Sequence, residues 1–161
     1  MGVNVKEVYI ETILLVERLH RRFLDVVKTE LDRLRIEDIN NVQTLILYNI
    51  SGEELTVGEL TNRGYYLGSN VSYNVKKLVE NDYLIQEKSP HDKRSTRVRL
   101  SEKGLKLCSV IDELYKRHID TLKESEPKLE ELSKMNEALH KLERFWSDYI
   151  SQIHRVGGGG F

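Results

Sequence analysis

Two clusters of side chains in the middle of this 161-residue chain have the chemistry of a polyanion reader. The first is Ser69, Asn70, Ser72, Tyr73, Asn74, Lys76 and Lys77. Asn and Ser side chains donate to and accept from base edges, and Lys neutralises phosphate. A Tyr ring at position 73 suits a phosphate oxygen or a thymine methyl. The second cluster is Lys93, Arg94, Arg97 and Arg99, four cations within seven residues. An Arg at a ribbon tip fits a narrow minor groove, whose negative potential attracts guanidinium. Asp92 cannot favour a polyanion by charge, and it is expected to orient Arg94 through a bidentate pair. Between Arg63 and Lys103, nine Lys/Arg face five Asp/Glu, a local +4 that leaves −5 for the rest of a chain of net charge −1. A basic middle in an acidic remainder fits a DNA-binding head on a neutralising body.

These clusters need a frame. Thr56-Val-Gly-Glu59 has the capping-box pattern and opens a short helix that Gly64 ends. Tyr65 to Gly68 is read as a tight turn. Ser69 is the expected N-cap of a second helix that turns Val71, Val75, Leu78 and Val79 inward, and Asn81-Asp82 stops it. Residues near this helix's N-terminus reach deepest into a major groove, so Asn70, Tyr73 and Asn74 are favoured for base contacts. Leu84 to Ser89 and Ser95 to Leu100 read as two strands around a tip at residues 90–93. Thr96, Val98 and Leu100 alternate with Arg97 and Arg99 at a period of two.

Long helices flank this module. Residues 5–34 hold no Gly or Pro and carry an apolar face through Tyr9, Ile13, Val16, His20, Phe23 and Val27. Asp38-Ile-Asn-Asn41 offers capping side chains for a helix over residues 42–50, which Ser51-Gly52 ends. Ser101 is expected to cap a helix reaching about Glu124, and Pro127 to sit in the first turn of the last helix. That helix carries Leu132, Met135, Leu139, Leu142, Trp146, Tyr149 and Ile153 at alternating steps of three and four. This seam suits a second chain, the alternative being the chain's own helices. The fold class is therefore mainly α with a small β-wing: a winged helix-turn-helix with long N- and C-terminal dimerisation helices. The expected divisions are 1–37 (dimerisation helix), 38–100 (DNA-binding module), 101–155 (dimerisation helices) and 156–161 (flexible tail).

Leu55 to Gly104 resembles the winged-helix core of the MarR family of bacterial transcription regulators. Asp92-Lys-Arg94-Ser95 followed by Val98-Arg-Leu100-Ser101-Glu-Lys-Gly104 is similar to that family's wing signature. Leu78 to Ile85 resembles its exit from the second helix, and the long flanking helices extend the likeness over nearly the whole chain. The turn Arg63-Gly-Tyr-Tyr-Leu-Gly68 departs from the usual short form. Tyr65 to Tyr73 looks like the subgroup that regulates L,D-transpeptidase genes, and hence cell-wall cross-linking and stress response. The resemblance implies a homodimer with interleaved terminal helices that reads a pseudo-palindrome. It also implies a small aromatic effector bound between the dimer helices and the winged module. His20, Thr44, Tyr48 and His118 are polar groups in apolar surroundings, as such a pocket requires, although a hydrogen-bonded core or interface group is the plainer and preferred reading of each.

The remaining chemistry is sparse. One cysteine, Cys108, excludes an internal disulfide and a Cys-rich zinc site, and it reads as a buried inert thiol. The five histidines show no metal spacing, so no metal or other cofactor is expected. No nucleophile–base pair or phosphate loop suggests an enzyme. No signal peptide or membrane span is visible, which suggests the cytoplasm. The competing function is a winged-helix protein–protein module without DNA binding, against which the cations at 76, 77, 93, 94, 97 and 99 argue.

Overall fold

The computed structural model describes residues 2–63, 68–91 and 95–157. It falls into two compact units, residues 1–114 and 115–161.

The first unit opens with helix α1 (Val5–Arg33), whose first amides donate to the Asn4 side chain. Of the apolar stripe, Tyr9 and His20 are exposed, Ile13, Val16 and Phe23 are half-buried and Val27 is buried, as are Glu30 and Leu31 near the helix end. The Glu30 carboxylate is held by two bonds from Arg33, at 2.7 and 3.0 Å. Arg35 follows at φ 55°, with the Arg35 and Ile36 amides returning to the carbonyls of Asp32 and Leu31. This is a Schellman closure with Arg in the place glycine usually takes.

Helix α2 (Asn41–Ile50) is closed at its start by a full capping box between Asn40 and Gln43. Strand β1 (Leu55–Thr56) leads into α3 (Val57–Asn62), where the Thr56/Glu59 capping box forms as the sequence implies. Helix α4 (Gly68–Glu80) is the second helix of the reading module. It begins at Gly68, so Ser69 is not its N-cap; the helix starts two residues before the Asn70 that a Ser69 cap implies. Asp82 at φ 63° ends it in a second Schellman closure, with Tyr83 and Asp82 amides bonded to the carbonyls of Leu78 and Val79. Asp tolerates this left-handed conformation better than most residues.

Strands β2 (Leu84–Lys88) and β3 (Thr96–Leu100) form the antiparallel wing, with Leu84 opposite Leu100 and Glu87 opposite Arg97. The sheet has three strands rather than two, in the order β1-β3-β2. Leu55 and Thr56 satisfy the second edge of β3 opposite Val98 and Arg97. Val98 and Leu100 are buried, whereas Arg97 and Arg99 face solvent. The core of the unit gathers Ile46, Leu47, Ile50, Leu60, Val71, Leu78 and Val98 with Leu107 and Ile111 of helix α5 (Glu102–Leu122).

The second unit holds the end of α5 and helix α6 (Leu129–Gly157). Pro127 lies before α6 rather than in its first turn. Lys128 occupies the capping position, its amide donating to Glu131 at 2.8 Å. None of the α6 residues is buried. Leu132, Leu142 and Trp146 are half-buried, and Met135, Leu139, Tyr149 and Ile153 are exposed. Phe145 and Ile150, exposed apolar residues that the seven-residue stripe omitted, flank it on opposite sides.

Candidate nucleic-acid interface

Helix α4 presents one polar face because its other face is committed to the core. Val71, Val75 and Leu78 are buried, and Asn70, Ser72, Tyr73 and Lys76 are exposed, Tyr73 by 61%. Lys77 is half-exposed, pairs with Glu80 at 3.2 Å and lies 5.9 Å from the Tyr73 ring centre. Its hydrogen bond with Glu80 holds the ammonium above its ordinary pKa, so the charge is secure at any physiological pH. On the wing, the outward face carries Ile85, Glu87, Arg97 and Arg99, and Glu87 accepts from Arg99 at 3.1 Å. Lys88 is exposed further along β2 and adds a cation that the residue clusters had not included. Asp92, Lys93 and Arg94, the expected wing tip, lie outside the described residues, as does the side chain of Ser69.

Asn74 is not on this face. It is 8% exposed; its amide donates to the Asn70 carbonyl at 2.8 Å, and its oxygen accepts from Gln43 at 3.2 Å. Its expected base contact is therefore corrected: the side chain has two protein partners and no route to a groove. Gln43, 7% exposed, went unnoticed in the sequence, although Asn40-x-x-Gln43 is a legible capping box.

The exit of α4 is fixed by a cluster that sequence reasoning also missed. Tyr83 donates to Asp38 at 2.6 Å, and Lys103 donates to Asp38 at 2.5 Å and to the Asn81 carbonyl at 2.9 Å. The Lys103 ammonium stands 4.3 Å from the Tyr83 ring centre. Burial pushes the Asp38 carboxyl up, but the bonds from Lys103 and Tyr83 outweigh it and hold it below the ordinary aspartate value. Burial, then the bond to Asp38, raises the Tyr83 hydroxyl well above a normal phenol. Gly104 completes the joint: a Cβ there would lie 2.4 Å from the Tyr83 carbonyl oxygen.

The four effector residues do not share a described site. Thr44 is buried and donates to the Asn40 carbonyl at 2.8 Å, within its own helix. Tyr48 is half-buried and donates to Asp112 at 2.8 Å. His20 is exposed on α1, and His118 is exposed in the second unit. A cleft of about 450 Å³ instead opens in the first unit, where Arg35, Lys103 and Lys106 rim apolar Ile36, Leu107 and Val110. Cys108 is half-buried, and burial together with Asp112 pushes its thiol up to about 11. Among the described residues, no group of three or more His, Cys, Asp or Glu could hold a metal ion, and no helix is long and apolar enough to cross a membrane.

Residues 39–104 match the family described as "Winged helix DNA-binding domain". The chain is 40% identical over 140 residues to the exopolysaccharide II synthesis transcriptional activator ExpG of Rhizobium meliloti (strain 1021), covering 87% of this chain and 72% of that protein. The chain belongs to the MarR family of winged-helix transcription regulators. The fold agrees with solved MarR structures. A MarR variant from E. coli complexed with operator DNA superposes with a TM-score of 0.68 at 19% identity, over 87% of this chain and 99% of the other. Staphylococcus aureus MarR in complex with salicylate and kanamycin gives 0.69 at 20% identity, over 88% and 94%. This MarR-family chain is thus a DNA-binding transcription regulator, not an enzyme.

Proposed function

We propose that the protein acts as a homodimer that reads a pseudo-palindromic operator in the cytoplasm, with α4 in the major groove and the wing on the flanking minor groove. The observation that carries this reading is the division of α4. Asn70, Ser72, Tyr73 and Lys76 face out, and Val71, Val75 and Leu78 are locked inward. Base-edge chemistry and phosphate neutralisation then share one rigid surface. Ser69, Lys93 and Arg94 are assigned to DNA contact from the sequence alone, with Asp92 proposed to orient Arg94.

The dimer is supported by apolar surface that one chain leaves open. Val5, Val8, Tyr9 and Ile10 on α1, and Met135, Leu139, Tyr149 and Ile153 on α6, are large apolar side chains left exposed, the kind of surface that marks an interaction face. Residues 1–37 and 101–155 are accordingly assigned to dimerisation. A small aromatic effector is supported by the salicylate complex of the S. aureus relative and by the cleft at Lys103, whose apolar floor suits a ring and whose rim sets Arg35, Lys103 and Lys106 beside Glu37 and Asp38. The ExpG likeness and the Tyr65–Tyr73 resemblance both favour cell-envelope genes as targets.

The test is selection of bound duplexes from a random library at near-physiological salt. An inverted repeat with half-sites about one helical turn apart is expected. Enrichment no better than non-specific binding would overturn the reading.

A further inference from the structure

The buried pair Gln43–Asn74 has no counterpart in the reading face, yet it touches the helix that carries that face. Three hydrogen bonds run in series through it, and a fourth anchors the helix beside it. Asn41 donates to the Leu24 carbonyl of α1 at 3.1 Å, anchoring the start of α2. The Asn40 amide donates to Gln43 Oε1 at 3.1 Å. Gln43 Nε2 donates to Asn74 Oδ1 at 3.2 Å, and Asn74 Nδ2 donates to the Asn70 carbonyl at 2.8 Å. Both members are more than nine-tenths buried, and among the described residues no buried side-chain polar atom lacks a partner.

Apolar packing alone fixes a helix's depth better than its rotation, because Val and Leu contacts are non-directional. A hydrogen bond between two buried amides is directional, and any other rotation of α4 would strand both groups. Asn70, whose side chain is on the exposed face, is also the residue whose carbonyl Asn74 holds.

We propose that Gln43 and Asn74 are positioning residues for sequence discrimination. They set the rotation of α4 about its own axis, and with it the register of Asn70 and Tyr73 on the bases. The proposal rests on α4 being the reading helix.

The test replaces both partners together, Gln43→Leu with Asn74→Leu, because removing one leaves the facing amide group of the other buried and unmatched, whereas removing both costs chiefly the Gln43 half of the α2 capping box. Circular dichroism and the urea midpoint establish that the variant is folded. Affinities are measured at one salt concentration on the selected operator and on a scrambled duplex. Amide exchange in α4 is measured without DNA. The expected result is unchanged binding to the scrambled duplex, an operator-to-scrambled ratio reduced by about tenfold or more, and faster exchange confined to the first turns of α4. A folded variant that keeps the wild-type ratio, or loses affinity equally on both duplexes, overturns the proposal. If the wild type itself shows no operator preference, the DNA reading of α4 fails and the proposal with it, whatever the exchange data show.

Discussion

Gly104→Ala tests whether the close approach of α5 to the α4–β2 turn holds the reading module together. A methyl at position 104 would stand 2.4 Å from the Tyr83 carbonyl oxygen and 3.3 Å from a Leu100 methyl, where ordinary contact begins near 3.4 Å. The obstacle is backbone, so the start of α5 must retreat by roughly 1 Å, to the near edge of van der Waals contact. That retreat stretches the Ser101 amide bond to the Tyr83 carbonyl, 3.0 Å now, beyond useful length, while the Ser101 hydroxyl keeps its shorter acceptor, the Asp82 carbonyl at 2.5 Å. One lost hydrogen bond at about 1 kcal/mol and overpacking at about 1–3 kcal/mol, less about 1 kcal/mol gained in helix propensity, leave a net loss of about 1–3 kcal/mol. Urea unfolding followed by circular dichroism at fixed protein concentration reads this as a lower midpoint. Gly58→Ala is the control, since its Cβ would meet only the Thr56 hydroxyl at 3.8 Å and helix α3 would gain up to about 1 kcal/mol. A Gly104→Ala protein as stable as wild type would refute the reasoning.

Four further outcomes are expected. Asp38 titrates below its ordinary value in the folded protein, so its contribution is present above the unfolded pKa and fades as pH falls through the folded one. The stability gap between wild type and Asp38→Asn, about 1 kcal/mol or less for so exposed a pair, should therefore close in acid, and a gap that widens there would reverse the assignment. Lys76→Ala and Arg97→Ala should each lower the slope of log K against log salt by about 1, equally on all sequences; an unchanged slope removes that residue from the phosphate contacts. Asn70→Ala should cost about 1–3 kcal/mol of discrimination at particular base pairs, whereas uniform loss on every duplex would make Asn70 a backbone contact. With its thiol pushed up to about 11, Cys108 should alkylate slowly at neutral pH and speed up towards pH 10, and fast labelling at pH 7 would show an activated thiol.

The parts legible in the sequence were those written as local pattern. Thr56 and Glu59 share a capping box three residues apart, and Val98, Leu100, Arg97 and Arg99 alternate strictly. Strand β1 was not legible, because two residues carry no period and Leu55–Thr56 are extended only to satisfy the open edge of β3. Asn74 was only partly legible by position, and not by type. At about 100° per residue it lies roughly 40° from Leu78 and 60° from Val71, at the border of the buried arc, while Tyr73 and Lys76 lie opposite. Polarity suggested an exposed residue, and the wheel alone left a border position that the contact with Gln43 decides. The cluster of Asp38, Tyr83 and Lys103 joins residues up to 65 apart in sequence, a pairing that no local rule could anticipate.

These contacts bear on how the module can be controlled. Helix α4 is held at its middle by Gln43 through Asn74, along its length by Val71, Val75 and Leu78, and at its exit by the closure at Asp82 and the Ser101–Tyr83 joint. A helix fixed at its middle, at its exit and along one face cannot rotate or slide without breaking several of these contacts at once. An effector is therefore cheaper to use against the position of the whole module than against the twist of α4 within it. The cleft at Lys103 lies where such a force would enter, because Lys103 bonds both Asp38 before α2 and the Asn81 carbonyl after α4. An aromatic acid that draws Lys103 away would loosen the joint between α5 and the module while leaving the Gln43–Asn74 link intact. Affinity for operator and scrambled DNA would then fall together if only the spacing of two modules changed contact with phosphate, and the operator would suffer more if that spacing also set half-site register. Lys103→Met, which removes the cation but keeps the stem, should abolish the acid's effect on DNA binding, and an undiminished response would place the effector elsewhere.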